Sequence, residues 1–386
     1  MKTFLLLLWG FTSQRDTLPD LQHLHYQVAA APEWNSLFTR SSGWFGGDGI
    51  FSIPVNAPDS DSTLFLFSDT MTGHICNGQL QPGSSMIHNS VAILKGKAPL
   101  EKNIQFYWNR DHQGKPATLF EPRTPQATPG DYYWLGDGFV NTALHNSTYI
   151  FAYRMRNISQ KDFGFAEVGN VLIVLPPNSR PPYTRQRQLD TPLLLPADSS
   201  TGAGSFGAGI FVNTKAAGAP NPDGYVYVYG VRGQQKMVLV ARVLPADIEH
   251  FGKWRFWDGR QWNTDIHQAA AVTAHASNEL SLTPLKDGRY ALVFQVDGMG
   301  SAVGLRLGAS PAGPFGPVIK IWECPEVKED KRFFVYNAKA HPRLSKPGEL
   351  LISYNVNAFD FFQVLPQHPQ LYRPRFIKLI FPAQEE

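Results

Sequence analysis

One phrase recurs along this chain: a small-residue turn carrying an acid, a strand, a short turn and a second apolar strand. The first copy is GGDGIFSIPV followed by STLFLFSDT, and the second is LGDGFVNTALHNSTYIFAYRM. Both carry Gly-Asp-Gly, at Asp48 and Asp137. A third, FGAGIFVNT then GYVYVYGV, keeps the glycines and has Ala208 where the acid stood. SNELSLTPLKDGRYALVFQV has Glu279 there, and YNAKAHPRLSKPGELLISYNV has Lys339. These five positions are 89, 71, 71 and 60 residues apart. A period of this size built from hairpins predicts an all-β fold, a five-bladed β-propeller with antiparallel four-stranded blades. Blades are expected to begin near Ser42, Trp134, Ser205, Asn278 and Tyr336, so that residues 17–386 form one domain.

The strand assignments rest on aromatic and β-branched runs bounded by turn residues. TLFLFSD, YVYVYGV, RYALVFQV and ELLISYNV read as second strands, and Asp223-Gly224 and Asp287-Gly288 supply hairpin turns. NSVAIL from Asn89, GNVLIVL from Gly169, KMVLVARV from Lys236 and VGLRLGAS from Val303 are expected as outer strands. Helix is expected only near Pro245 to Gly252, and residues 17–40 are expected to close the ring or pack on its side.

With 43% apolar and 17% charged residues, the chain has ample core material and no disorder signature. A net charge of +3 without long basic runs excludes nucleic acid as an expected partner. Residues 1–16 resemble a secretory signal: Lys2 precedes the apolar run Phe4 to Phe11, which is too short to span a bilayer. The expectation is a secreted or periplasmic protein without membrane insertion. Cys76 and Cys324 are the only cysteines, enough for one bridge or two free thiols and too few for a disulfide framework.

In a propeller, equivalent residues of the innermost strands converge on one mouth of the central channel. Asp48, Asp137, Glu279 and Lys339 would meet there, and the returning strand would bring Asp69 beside Asp48. Convergent carboxylates on rigid strands suit acid/base chemistry at a glycosidic bond, where one acid is protonated and another ionised. Turn-stabilising carboxylates are the plainer reading of Asp48, Asp69 and Asp137, and a channel-lining salt bridge that of Glu279. Trp44 and Trp134 flank the acids and could stack on a sugar, while His88, Asn89 and His341 offer polar contacts. Interior packing or a structural hydrogen bond is the plainer reading of each. Carboxylates and carbonyls at a channel mouth also suit calcium, but no loop of alternating acids specifies it, and neither a cofactor nor a metal is expected.

With GWFGGDGIFSIPV…LFLFSDTMTG, NELSLTPLKDGRYALVFQ and NAKAHPRLSKPGELLISYN in hand, the chain resembles the five-bladed propeller glycosidases. More narrowly, it resembles a secreted family related to propellers that degrade D-arabinan. The resemblance implies a hydrolase of furanose- or pyranose-containing oligo- or polysaccharides, arabinan-like ones above all. It maps Asp48 and Asp69 onto two catalytic acids, and Asp137 and Glu279 onto a supporting acid and a general acid. The expected roles are Asp48 as nucleophile or base, Asp69 as acid/base, Glu279 and Asp137 as pKa-tuning or proton-donating groups, and Lys339 as a substrate or charge contact. A carbohydrate-binding propeller without catalysis is the alternative.

Overall fold

The computed structural model describes residues 19–159, 163–197 and 201–382, so the proposed signal segment lies outside the described residues. The fold is all-β with antiparallel sheets and two short α-helices. The first sheet runs Phe51–Pro54, Ser62–Phe67, Ser90–Lys95 and Ile104–Tyr107. The second runs Tyr132–Asn141, Ser147–Asn157, Phe165–Leu175 and Arg187–Thr191. The third contains Gly204–Asn213, Tyr225–Arg232, Met237–Val243 and Arg255–Trp257. Unlike the four-stranded expectation, it gains Leu194–Leu195 at one edge and Trp262–Asn263 at the other, making six strands. The fourth runs Leu280–Pro284, Tyr290–Gln295, Ala302–Gly308 and Ile319–Glu323.

The fifth sheet joins the two ends of the chain. Phe333–Ala340, Glu349–Ala358 and Arg375–Ile380 are followed in the sheet by Gln27–Ala30, paired Gln27 to Ile380. The helix Pro32–Leu37 then sets Trp34 and Leu37 into the core between this sheet and the first. The four runs expected as outer strands are third strands, because a further strand pairs beyond each of them. Near Pro245 the chain forms only the short 3-10 turns Pro245–Asp247 and Phe251–Lys253.

The core is divided among the gaps between sheets, as expected for strands apolar on both faces. One cluster joins the first and second sheets through Phe51, Leu66, Ile150 and Val171, and another joins the second and third through Phe151, Leu172, Phe206 and Val228. Tyr229, Val240, Leu282 and Leu292 fill the next gap, and Val293, Leu305, Val335 and Ile352 the one after it. Phe65, Phe67, Leu351 and Phe376 fill the gap between the fifth and first sheets. Hydrogen bonds reinforce that junction, between His341 Nδ1 and Ser52 Oγ at 2.8 Å and from Lys339 Nζ to the Gly49 carbonyl at 2.7 Å.

The first strands of three sheets bulge at one level. Pairing skips Gly136-Asp137, Gly207-Ala208 and Asn337-Ala338. Such bulges re-aim side chains beside functional sites. They also correct the repeat alignment: Ala338, not Lys339, is the partner of Asp137 and Ala208, and Lys339 lies one residue further, opposite Ser353. Before the first sheet, Ser42–Gly47 pairs with Thr70–Cys76, with its own skip at Phe45. The backbone packs tightly there: a Cβ on Gly46 would lie 2.3 Å from the Tyr372 carbonyl oxygen. Gly46→Ala is therefore expected to destabilise the protein by about 1–3 kcal/mol, the usual result of overpacking, read as a lowered Tm.

Candidate active site

A cavity of about 1000 Å³ opens where these first strands converge, and Asp48, Asp69, Glu167 and Glu279 line it together with Tyr336 and Tyr372. Asp48 follows the strand Ser42–Gly47 and Asp69 precedes Thr70–Cys76, so the antiparallel pairing sets them side by side. Asp48 N–H donates to the Asp69 carbonyl at 3.1 Å, and Ser68 N–H donates to the Asp48 carbonyl at 2.9 Å. The closeness of Asp69 to Asp48 expected from hairpin geometry is present.

The two carboxyls have different surroundings. Asp48 Oδ2 accepts from Tyr336 Oη at 2.7 Å, while its Oδ1 is buried with no hydrogen-bond partner among the described residues. Burial first, and the charge of Asp69 second, push its pKa up to about 7 against the opposing pull of Tyr336, Tyr372 and Lys339. Asp69 is the more accessible carboxylate, with its side chain 19% exposed. Its Oδ1 accepts from Trp134 Nε1 at 3.0 Å and lies 3.0 Å from His88 Nδ1. The His88 ring is in turn stacked on Tyr132, with centroids 3.8 Å apart.

Glu279 occupies a second station. Its Oε1 accepts from Asn337 Nδ2 at 2.8 Å, and its Oε2 lies 2.5 Å from Lys339 Nζ. Lys339 Nζ also donates to the carbonyls of Gly49 and Asn337, at 2.7 and 2.9 Å. Burial outweighs the lysine and raises Glu279 to about 8. Glu167, which sequence reasoning missed, also rises to about 8 through burial, with Ser205 Oγ donating to its Oε1 at 2.6 Å. Tyr153 lines the cavity beside both, its hydroxyl held well above its ordinary pKa by burial and by the charges of Glu167, Glu279 and Asp137.

The remaining expected site residues separate clearly. Trp134 lines the cavity, and His88 lies against the Asp69 carboxylate. Trp44 is 1% exposed and packs on Phe38, Phe67 and Phe106, which corrects its expected role as a sugar platform. Asn89 is fully buried, with its amide bonded to backbone groups of Phe120 and Tyr133. His341 is buried between Ser52 and Ser353, and burial lowers it to about 3. Neither can touch a substrate in this position. Lys339 is likewise buried, so it is a charge partner of Glu279 and not a sugar contact. Asp137 is not a cavity-lining residue: its carboxyl oxygens accept from Gly138 N–H at 2.8 Å and Ile210 N–H at 2.7 Å, stapling the second sheet to the third. Burial still raises it to about 7. Both cysteines are free, Cys76 exposed and Cys324 buried.

These raised pKa values fix the sign of a pH effect. The folded protein holds protons on Asp48, Asp137, Glu167 and Glu279 up to pH 7 to 8. The unfolded chain releases the same protons near pH ~4. Their contribution to stability is fully present below about pH 4 and is lost as pH rises through 7 to 8. Tm is expected to be lower at pH 8.5 than at pH 5.5; an unchanged or higher Tm at pH 8.5 would contradict this burial.

The fold and site define an all-β protein with a carboxylate-lined cavity at the convergence of its sheets. A family described as a domain of unknown function (DUF5005) matches residues 32–381, and the chain belongs to that family. No curated protein matches. Among solved structures, a candidate hydrolase from Bacteroides ovatus is 22% identical with a TM-score of 0.72, covering 95% of this chain and 92% of that one. That likeness shows a shared fold. An α-L-arabinofuranosidase from Clostridium thermocellum is 14% identical with a TM-score of 0.46, over 86% of this chain and 90% of that one. An exo-β-1,3-galactanase from Phanerochaete chrysosporium is 9% identical with a TM-score of 0.44, over 91% of this chain and 64% of that one.

Proposed function

We propose that this chain is a glycoside hydrolase on a five-bladed β-propeller, cleaving a furanose- or pyranose-containing glycan, with arabinan-like chains the favoured substrate. The observation that carries this reading is the meeting of Asp48, Asp69, Glu167 and Glu279, from different strands, around one cavity. Five of the seven sheets among the described residues have apolar clusters in the gaps between them, which supports the blade count. The sheet of Ser42–Gly47 and Thr70–Cys76, with its own cluster around Phe45 and Met71, and the hairpin Asn109–Arg110 with Pro116–Ala117 stand outside it. The apolar run Phe4 to Phe11 supports export to the periplasm or beyond.

Glycosidic cleavage needs a protonated carboxyl at the leaving oxygen and a carboxylate that attacks the anomeric carbon or activates water. Asp69 fits the second role better than Asp48, because it is the accessible member of the pair and Trp134 and His88 orient it. Asp48, whose Oδ1 is buried, acts through Asp69 as a charge neighbour. Glu167 fits the proton donor: it lines the cavity and holds its proton at neutral pH. Both oxygens of Glu279 are engaged, by Asn337 and Lys339, so it sets the local charge. A donor's loss is felt most with poor leaving groups. Glu167→Gln is therefore expected to cut hydrolysis of alkyl or sugar leaving groups about 100-fold, and that of activated aryl leaving groups far less. The same pattern in Glu279→Gln instead would reassign the donor.

Base-catalysed β-elimination from uronic acids is disfavoured, since Lys236 is the one cationic lining residue among those described. The test is release of reducing sugar from arabinans, other plant and bacterial polysaccharides and aryl furanosides. Product from at least one class supports the hydrolase. Saturable glycan binding without product from any would favour the non-catalytic carbohydrate-binding propeller.

A further inference from the structure

We infer that the mouth of this cavity holds an apolar aglycone, an aryl or alkyl group carried by the sugar that the carboxylates address. The inference rests on the glycosidase reading. Seven large apolar side chains are exposed among the described residues, and four of them line this cavity: Phe163, Met299, Phe359 and Phe362. They are 54%, 52%, 44% and 68% exposed. Scattered exposed hydrophobics need no explanation, but a cluster bordering a cavity marks a surface that something covers.

The rings form a continuous wall from the carboxylates outward. Trp134, which holds Asp69, meets Phe165 edge-on at 4.7 Å, and Phe165 lies 6.2 Å from Phe163. On the other side Tyr336, which holds Asp48, lies 5.5 Å from Phe334, and Phe334 lies 5.0 Å from Phe359. The two arms meet at Phe163, 6.2 Å from Phe334 and 6.1 Å from Phe359.

Chemistry changes along this wall. Its inner rings are Trp134 and Tyr336, each with a polar handle, and they sit where a sugar must present its anomeric carbon. Its outer rings are phenylalanines, which offer no donor or acceptor to hydroxyl groups. A further sugar at the mouth would cover these rings with hydroxyls left to find partners elsewhere, whereas an aryl or alkyl group would remove apolar surface from water on both sides. The occupant that fits at the mouth is an apolar aglycone at the reducing end of such a glycan, the inner part of the cavity being left to its sugars.

The experiment is calorimetric binding of the full chain to methyl, phenyl and octyl 1-thioglycosides of α-L-arabinofuranose and β-D-galactopyranose, whose sulfur linkage resists hydrolysis. Phenyl or octyl forms are expected to bind at least tenfold tighter than the methyl form of the same sugar. A gain confined to phenyl names an aryl aglycone, and one confined to octyl an alkyl aglycone. Phe359→Ser combined with Phe362→Ser, at exposed positions where folding is little affected, is expected to abolish the gain and leave methyl-glycoside affinity unchanged. Equal affinity for all three forms, a preference that survives the double variant, or no binding of any probe would overturn the inference. Because binding is read without turnover, a chain that shows the preference but releases no sugar would overturn the hydrolase reading alone. A chain that hydrolyses glycans without the preference would overturn this inference alone.

Discussion

Asp69→Asn is expected to lower kcat/KM by about 10³-fold, inside the ~10²–10⁴ range typical for loss of a general acid or base, while Tm stays near that of the wild type. The amide retains the size of the carboxyl and can still face Trp134 and His88, the two groups that address Oδ1, so packing is preserved. What disappears is the negative charge, the one feature that can attack a sugar or take a proton from water. Asp48→Asn should behave differently, because Tyr336 engages one oxygen of Asp48 and the other is buried. The expected signature is a smaller loss, of about tenfold. Equal losses in the two variants would mean that Asp48 itself touches the substrate.

Lys339→Met carries the largest expected effect on stability. Lys339 is 1% exposed, and its ammonium lies 2.5 Å from Glu279 and donates to the carbonyls of Gly49, before the first sheet, and Asn337, in the fifth. Methionine leaves the Gly49 and Asn337 carbonyls without their donor, and a buried polar group left unsatisfied commonly costs about 1–3 kcal/mol. Glu279, raised to about 8, is mostly protonated at pH 7 and is not left as an uncompensated charge. A loss of about 2–4 kcal/mol in denaturant unfolding is expected from the two unpaired carbonyls. Glu279→Gln offers the contrast: at pH 7 it replaces a largely neutral acid by a neutral amide of the same size, so its effect on stability should be the smaller of the two.

The parts of this molecule legible in the sequence are those governed by alternation and local pairing. The second strands, such as Tyr290–Gln295 and Glu349–Ala358, stand out as β-branched and aromatic runs. The closeness of Asp48 and Asp69 follows from an antiparallel return, which needs no knowledge of the rest of the chain. Long-range pairing was not legible: nothing in QVAA announces that Gln27–Ala30 completes the sheet begun by Phe333–Ala340.

Bulges explain the misreadings within the site. The skip at Asn337-Ala338 moves Lys339 off the position that a simple repeat alignment assigns to it. A second skip, at Val168, lies between the pairs Arg154–Gly169 and Met155–Glu167, so strict alternation from GNVLIVL does not carry back to Glu167. The available signal was an acid two residues before a run that is otherwise apolar. Trp44, Asn89 and His341 failed as sugar contacts for another reason: proximity to a motif does not say which face of a strand a side chain takes. Burial decides that, and each of the three faces inward.

Incubating the wild-type chain with arabinan in water enriched in heavy oxygen, and weighing the released oligosaccharides by mass spectrometry, separates hydrolysis from elimination and from binding alone. Each new reducing end is expected to carry one heavy oxygen, with every sugar saturated. Fragments with an unsaturated sugar and no heavy oxygen, or an intact polymer that the protein binds without cleaving, would rule out the hydrolase.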